Sequence, residues 1–142
     1  MKKIALLYSS MAVLLLSACG VNATTDNYKF PTPGTVLDSV AMPIVGDTLN
    51  NMVFSVAVVA DSNIAKGVYD VNVIYGKNEA NGLFTMPKGA EKYKPAIRKS
   101  TEPYTYIIGF HVPKDTTFYE YFEVTAQKKT IGMKYLKAYT FE

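Results

Sequence analysis

The chain has 142 residues, with 15 basic and 12 acidic side chains for a formal charge of +3, one histidine and one cysteine. That length suits one domain whose single hydrophobic core needs neither disulfides nor a metal. A single imidazole excludes a metal site built on two histidines of one chain, a single thiol excludes an internal disulfide, and the near balance of charge offers nucleic acid no electrostatic footprint.

The first 18 residues carry a basic head, Lys2-Lys3, an apolar run from Ile4, and small residues ahead of Cys19. A positive start, a hydrophobic stretch and a small-residue cut point make a secretion signal. The run is shorter than the roughly 20 apolar residues a bilayer crossing needs. Leu16-Ser17-Ala18-Cys19 resembles the lipobox of bacterial lipoproteins, and all four positions fit. The resemblance is confined to residues 1–20. It implies a diacylglycerol on the Cys19 thiol, cleavage of the signal ahead of that residue, and an N-acyl chain on the new amino end. No other cofactor is expected. Two or more chains anchor a protein stably where one holds it marginally. Gly20, rather than Asp, follows the cysteine. In enteric-type bacteria that resemblance implies sorting to the outer membrane; a domain facing the periplasm is the expectation, with the inner membrane and the cell surface left open. Loss of residues 1–18 removes Lys2 and Lys3 and no acid, which leaves 13 basic against 12 acidic side chains. The basicity is therefore largely a targeting feature.

Residues 19–34 are expected to be the lipidated cysteine and a flexible tether. Asn22 to Asn27 are polar, and Pro31-Thr32-Pro33-Gly34 closes the segment with residues that block helix and start turns. Residues 35–142 form the remaining domain. Tyr, Val, Ile, Phe and Thr dominate it, and these residues favour strands.

From Thr35 the chain reads as short strands separated by turns. Residues 35–45 are the first, with Pro43 inside and Gly46-Asp47 after it. Residues 52–60, Met-Val-Phe-Ser-Val-Ala-Val-Val-Ala, are an almost continuous apolar run suited to a central strand. Asp61-Ser62-Asn63 and Gly67 turn the chain. Residues 68–75 then alternate, with Tyr69, Val71, Val73 and Tyr75 on one face and Asp70 and Asn72 on the other. Gly76-Lys77-Asn78 and Asn81-Gly82 are turn signals, the latter a favoured two-residue hairpin loop, and 83–86 is a short strand stopped by Pro87. Residues 88–100 carry Lys88, Lys92, Lys94, Arg98 and Lys99 against Glu91 alone, which predicts an exposed loop and an edge strand near 96–99.

The last third is the most regular. Residues 104–112 place Tyr104, Tyr106, Ile108, Phe110 and Val112 on one face. Residues 118–126 put Phe118, Phe122, Val124 and Ala126 on one face and Tyr119, Tyr121 and Glu123 on the other; Glu120 falls on the apolar face, so a bulge is expected there. Residues 131–141 alternate again, with Tyr135 and Tyr139 on the apolar side. Seven or eight strands around one core predict an all-β fold, an antiparallel β-sandwich, immunoglobulin-like or transthyretin-like in outline. The order of the strands stays open.

Little catalytic chemistry is legible, and the protein is expected not to be an enzyme. His111 lies in a strong strand and reads as a satisfied or solvent-facing histidine. Gly-x-Ser-x-Gly and Walker-type loops are absent from the sequence, and Cys19 is committed to lipid. Glu120 and Glu123 are expected on opposite faces of their strand, too far apart to share a glycosidic bond. The surface with most to offer is aromatic: Tyr119 and Tyr121, lined up with Tyr135 and Tyr139, would make an exposed stripe of the kind that binds proteins or sugars. The expected role is a non-enzymatic interaction or accessory module of an envelope assembly, with the membrane and an envelope protein as partners. The alternatives are a glycan-binding or small-ligand-binding module and an inhibitor or immunity-type lipoprotein.

Overall fold

The computed structural model of the chain describes residues 28–46 and 51–141. Cys19, the signal and residues 20–27 of the expected tether lie outside the described residues.

β1 (Val36–Pro43), β2 (Val53–Ala60), β3 (Val68–Tyr75) and β4 (Asn78–Thr85) form one antiparallel sheet in that order. β5 (Pro95–Lys99), β6 (Thr105–His111), β7 (Phe118–Gln127) and β8 (Thr130–Tyr135) form the second. One 3-10 turn, Ile64–Lys66, is the sole helical element among the described residues. The fold is thus an eight-stranded antiparallel β-sandwich. Each sheet is a simple meander, and the chain changes sheet once, along 86–94. Packing begins ahead of Thr35: Phe30 packs against the core, and the Gly34 N–H donates to the Ala60 carbonyl at 2.8 Å.

Alternation explains most of the register. Phe54, Val56 and Val58 of β2 and Tyr69, Val71 and Val73 of β3 turn inward and are fully buried. They meet Tyr106, Ile108 and Phe110 of β6 and Phe122 and Val124 of β7. Phe54 tilts on Tyr106 with centroids 5.0 Å apart, and Phe84 stacks on Phe122 at 5.5 Å. A fully buried side chain of this size contributes about 1.5–3 kcal/mol.

Strand edges are a liability because their backbone groups lack partners, and here each seam between the sheets is closed by side chains. On one side, Asp38 of β1 accepts the Ile97 N–H of β5 at 2.7 Å. On the other, Thr85 of β4 donates its N–H to the Tyr135 hydroxyl at 3.0 Å, and its carbonyl accepts the Tyr121 hydroxyl at 2.8 Å.

Alternating strand directions sort the connections onto two ends. Residues 28–35, 61–67, 86–94, 112–117 and 136–141 lie at the end where the described chain begins, the near end. Residues 44–46, 51–52, 76–77, 100–104 and 128–129 lie at the far end, where Asn78 Nδ2 donates to the Lys129 carbonyl at 3.1 Å.

Three expectations are corrected. Asn81-Gly82 is not a hairpin loop. The hairpin turns at Gly76-Lys77, with Gly76 at φ 64°, and Asn81 and Gly82 sit within β4 opposite Asn72 and Val71. A Cβ at position 82 would lie 2.5 Å from Met133 Sδ of β8, so a larger residue there would displace the flexible Met133 side chain. The strand after Lys129 does not run to Phe141. It ends at Tyr135, opposite Phe122, just short of the β7 irregularity at Tyr121. The segment beyond crosses the near end, and its Phe141 N–H donates to the Lys88 carbonyl.

The third correction concerns β7. The expected bulge is there, since Ile108 pairs with Phe122 while Gly109 pairs with Glu120, leaving Tyr121 as the extra residue. A one-residue slip reverses the faces of everything before it. Tyr119 therefore pairs with Phe110 and turns inward, whereas Phe118 and Glu120 turn outward. Glu120 and Glu123 consequently share the outer face, not opposite ones.

Candidate functional site

The four tyrosines expected to form an exposed stripe are brought together, but largely as structure. Tyr121 is buried and bonded to Thr85; burial also raises its hydroxyl pKa. Tyr119 stacks on Phe110 at an interplanar angle of 8°, and its hydroxyl donates to Asp115 Oδ2 at 2.9 Å. That bond to a carboxylate is the main cause of its raised pKa. Tyr139 donates to the Glu120 carbonyl at 2.9 Å and packs edge-on against Tyr119 and Phe110. Tyr135 alone keeps an open ring, at 52% exposure, beside Thr85. The cluster closes the near end of the core, where Tyr93 and Phe141 join it around Phe110. Alternation in the sequence points to a bulge near Glu120, but not to its consequence, the turning of Tyr119 inward against Phe110.

The outer face of the second sheet holds the titratable groups. The His111 ring packs beside Phe118, and the Arg98 guanidinium lies 4.0 Å over the same ring. His111 Nδ1 is 3.1 Å from the Thr117 carbonyl and Nε2 is 3.2 Å from Arg98 Nη2. A carbonyl only accepts and a guanidinium only donates, so the neutral ring carries its proton on Nδ1. Glu120, Glu123, Arg98 and Phe118 line one shallow cleft of about 590 Å³, and Glu123 pairs with Lys134 at 3.0 Å. No cluster of three His, Cys, Asp or Glu side chains able to hold a metal occurs among the described residues.

The outer face of the first sheet differs in kind. Four positions on each of its four strands point outward, and register places them in rows. One row runs Val36, Val59, Asp70, Leu83; the next holds Ser39, Ala57, Asn72 and Asn81; a third holds Ala41, Ser55, Ile74 and Glu79. Val36, Val53, Ile74 and Leu83 are exposed, Leu83 by 58%. Asp70 and Glu79 are the only charged groups on the face, and neither is opposed by a cation there. Alternation along 68–75 shows one wet face but not this surface, because its breadth depends on which strands lie side by side.

Compared with known proteins, the chain matches no family model, no curated protein and no solved structure.

Proposed function

We propose that the chain is a lipid-anchored protein of the bacterial cell envelope, held through acylated Cys19 in the outer membrane on its periplasmic side. Its sandwich serves there as a non-enzymatic docking module of an envelope assembly. The anchor rests on Leu16-Ser17-Ala18-Cys19 and the leader before it. The observation that carries the docking role is the outer face of the first sheet, with its apolar row interrupted by a single acid, Asp70, and no basic residue. Sheet faces open to water normally carry polar and charged residues, and interface cores are depleted in charge. The partner that fits is a protein presenting apolar side chains to Val36, Val59 and Leu83 and one cation to Asp70. Tyr135, still open beside Thr85, lies at the border of the same surface.

The test is photo-crosslinking in the native envelope from positions 41 and 72 on this face, with position 127 at the end of β7 as the control. One dominant protein in fixed ratio is expected from the first two positions and not from the third. Leu83→Glu and Asp70→Lys, both at outward positions, should weaken that association by about tenfold or more while leaving Tm unchanged. Crosslinks confined to position 127, or none from either face, would overturn the reading.

A second reading has its own observation. The β7 bulge gathers Glu120 and Glu123 with Arg98 and Phe118 in one cleft, a set of hydrogen-bonding groups beside an aromatic ring that suits a sugar. Glu120→Gln together with Arg98→Ala should then abolish binding of peptidoglycan or polysaccharide fragments, and unchanged binding would dismiss it.

A further inference from the structure

We propose that the near end of the sandwich docks on an anionic lipid surface, the membrane to which Cys19 ties the chain; this rests on the lipid-anchor reading above. The sequence groups three lysines over 88–94, and the topology adds four more from distant segments. Lys29 lies on the incoming segment, Lys66 in the 3-10 turn, and Lys88, Lys92 and Lys94 on the crossing between the sheets. Lys114 in the β6–β7 turn and Lys137 in the last segment sit at the same end. All seven are exposed, and the one ion pair among the described residues, Lys134 with Glu123, involves none of them.

Three acids share that end among the described residues: Asp61, Glu91 and Asp115. Two of them are turned onto their own loops. Asp61 accepts the Asn63 N–H at 2.7 Å, and Asp115 accepts the Thr117 N–H at 2.8 Å and the Tyr119 hydroxyl. The cations project outward while most of the opposing charge is engaged locally. With the described residues alone the end carries seven positive groups against three negative ones.

The position of this end supplies the second half of the argument. The described chain begins at Tyr28, nine residues after Cys19. Nine residues reach at most about 30 Å at full extension, so the lysine-bearing end can never leave the membrane by more than a few Debye lengths of about 8–10 Å. Acyl chains joined to a basic patch form the two-signal arrangement that holds a protein firmly on anionic lipid. The far end, with Lys77, Lys128 and Lys129, is separated by the length of the strands, about 26 Å for eight residues, and lies beyond that range when the near end is seated.

The test uses the full lipidated protein in vesicles of zwitterionic lipid, with and without phosphatidylglycerol. A water-soluble amine-acylating reagent is applied, and each lysine is followed by peptide mass spectrometry. With the anionic lipid, labelling of Lys66, Lys88, Lys92 and Lys94 should fall about fivefold or more, an effect high salt should reverse, while Lys77, Lys128 and Lys129 should not change. The variant carrying Lys88→Glu, Lys92→Glu and Lys94→Glu, three exposed loop substitutions, should lose the protection at Lys66, which it retains. Equal labelling in both vesicle types would overturn the proposal, as would protection spread evenly over both ends. The mass of the Cys19 peptide tests the anchor separately. If that peptide carries no lipid, the anchor reading fails by itself. Flotation of the same chain with anionic vesicles but not zwitterionic ones would then still support the docking end, and flotation with neither would overturn it.

Discussion

Thr85 ties the two sheets on one side, and both ties are tyrosine hydroxyls from the opposite sheet. They are not equivalent. Tyr121 is buried, so Tyr121→Phe leaves the Thr85 carbonyl without its donor and should cost about 1–2 kcal/mol. Tyr135 is half in water, and Tyr135→Phe lets water take the Thr85 N–H for about 0.5 kcal/mol or less. Urea unfolding of the two variants checks the ranking; equal losses would contradict it. Asp115 acts through its charge. The backbone N–H and side chain of Thr117, with the Tyr119 hydroxyl, hold its carboxyl below the usual 3.8. A depressed folded pKa means stability that is present above 3.8 and lost as pH falls through the folded value. Asp115→Asn should therefore remove part of the acid sensitivity of the 112–117 turn, read as amide exchange across that turn below pH ~4.

At the level of elements, the two long hairpins solve the same problem differently. Gly76 accepts the positive φ of the first hairpin without strain, whereas Lys128 and Lys129 both adopt positive φ, 46° and 69°. Such a turn favours Asn-Gly, and non-glycine residues there carry strain of order 1 kcal/mol each. Replacing both lysines, Lys128→Asn with Lys129→Gly, should raise stability by about 1 kcal/mol or more. An unchanged or lower urea midpoint would mean that the lysine stems pack usefully. The β7 bulge depends on a neighbour in the same way. A Cβ at Gly109 would run into the Tyr119 carbonyl and lie 2.6 Å from the Phe118 ring. β6 can approach the bulged strand only because residue 109 has no side chain.

For the molecule as a whole, burial of phenols couples stability to alkaline pH. Desolvation of Tyr69, with Tyr28 nearby, pushes its pKa from 10.0 up to about 12, and burial raises Tyr106 and Tyr121 as well. A raised folded pKa holds the proton more tightly than the unfolded chain does. Its contribution is complete below pH 10 and disappears as pH climbs through about 12. Unfolding should therefore set in over that window together with the ultraviolet band of tyrosinate, which no tryptophan obscures. Tyr69→Phe should flatten the loss.

The apolar run at 52–60 and the alternation along 68–75 and 104–112, with a turn residue at each break, were enough to determine those strands and the all-β sandwich. That is so because period-two patterning is set residue by residue by which side meets water. The likeness of Leu16-Ser17-Ala18-Cys19 to a lipobox is likewise a reading of local sequence, on which the proposed anchor rests. Tertiary structure alone decided the rest. Asn81-Gly82 has the composition of a turn, yet it lies in β4 because the hairpin turns at Gly76-Lys77 and both residues pair with β3. The bulge near Glu120 is expected from the sequence, but that Tyr119 consequently turns inward onto Phe110 follows only from the pairing of β7 with β6. Lys29, Lys66, Lys114 and Lys137 are remote in the chain from the 88–94 group and share its end only in the fold. Which loops share an end follows from strand order and direction, and those are set by packing between distant segments, which no local pattern encodes.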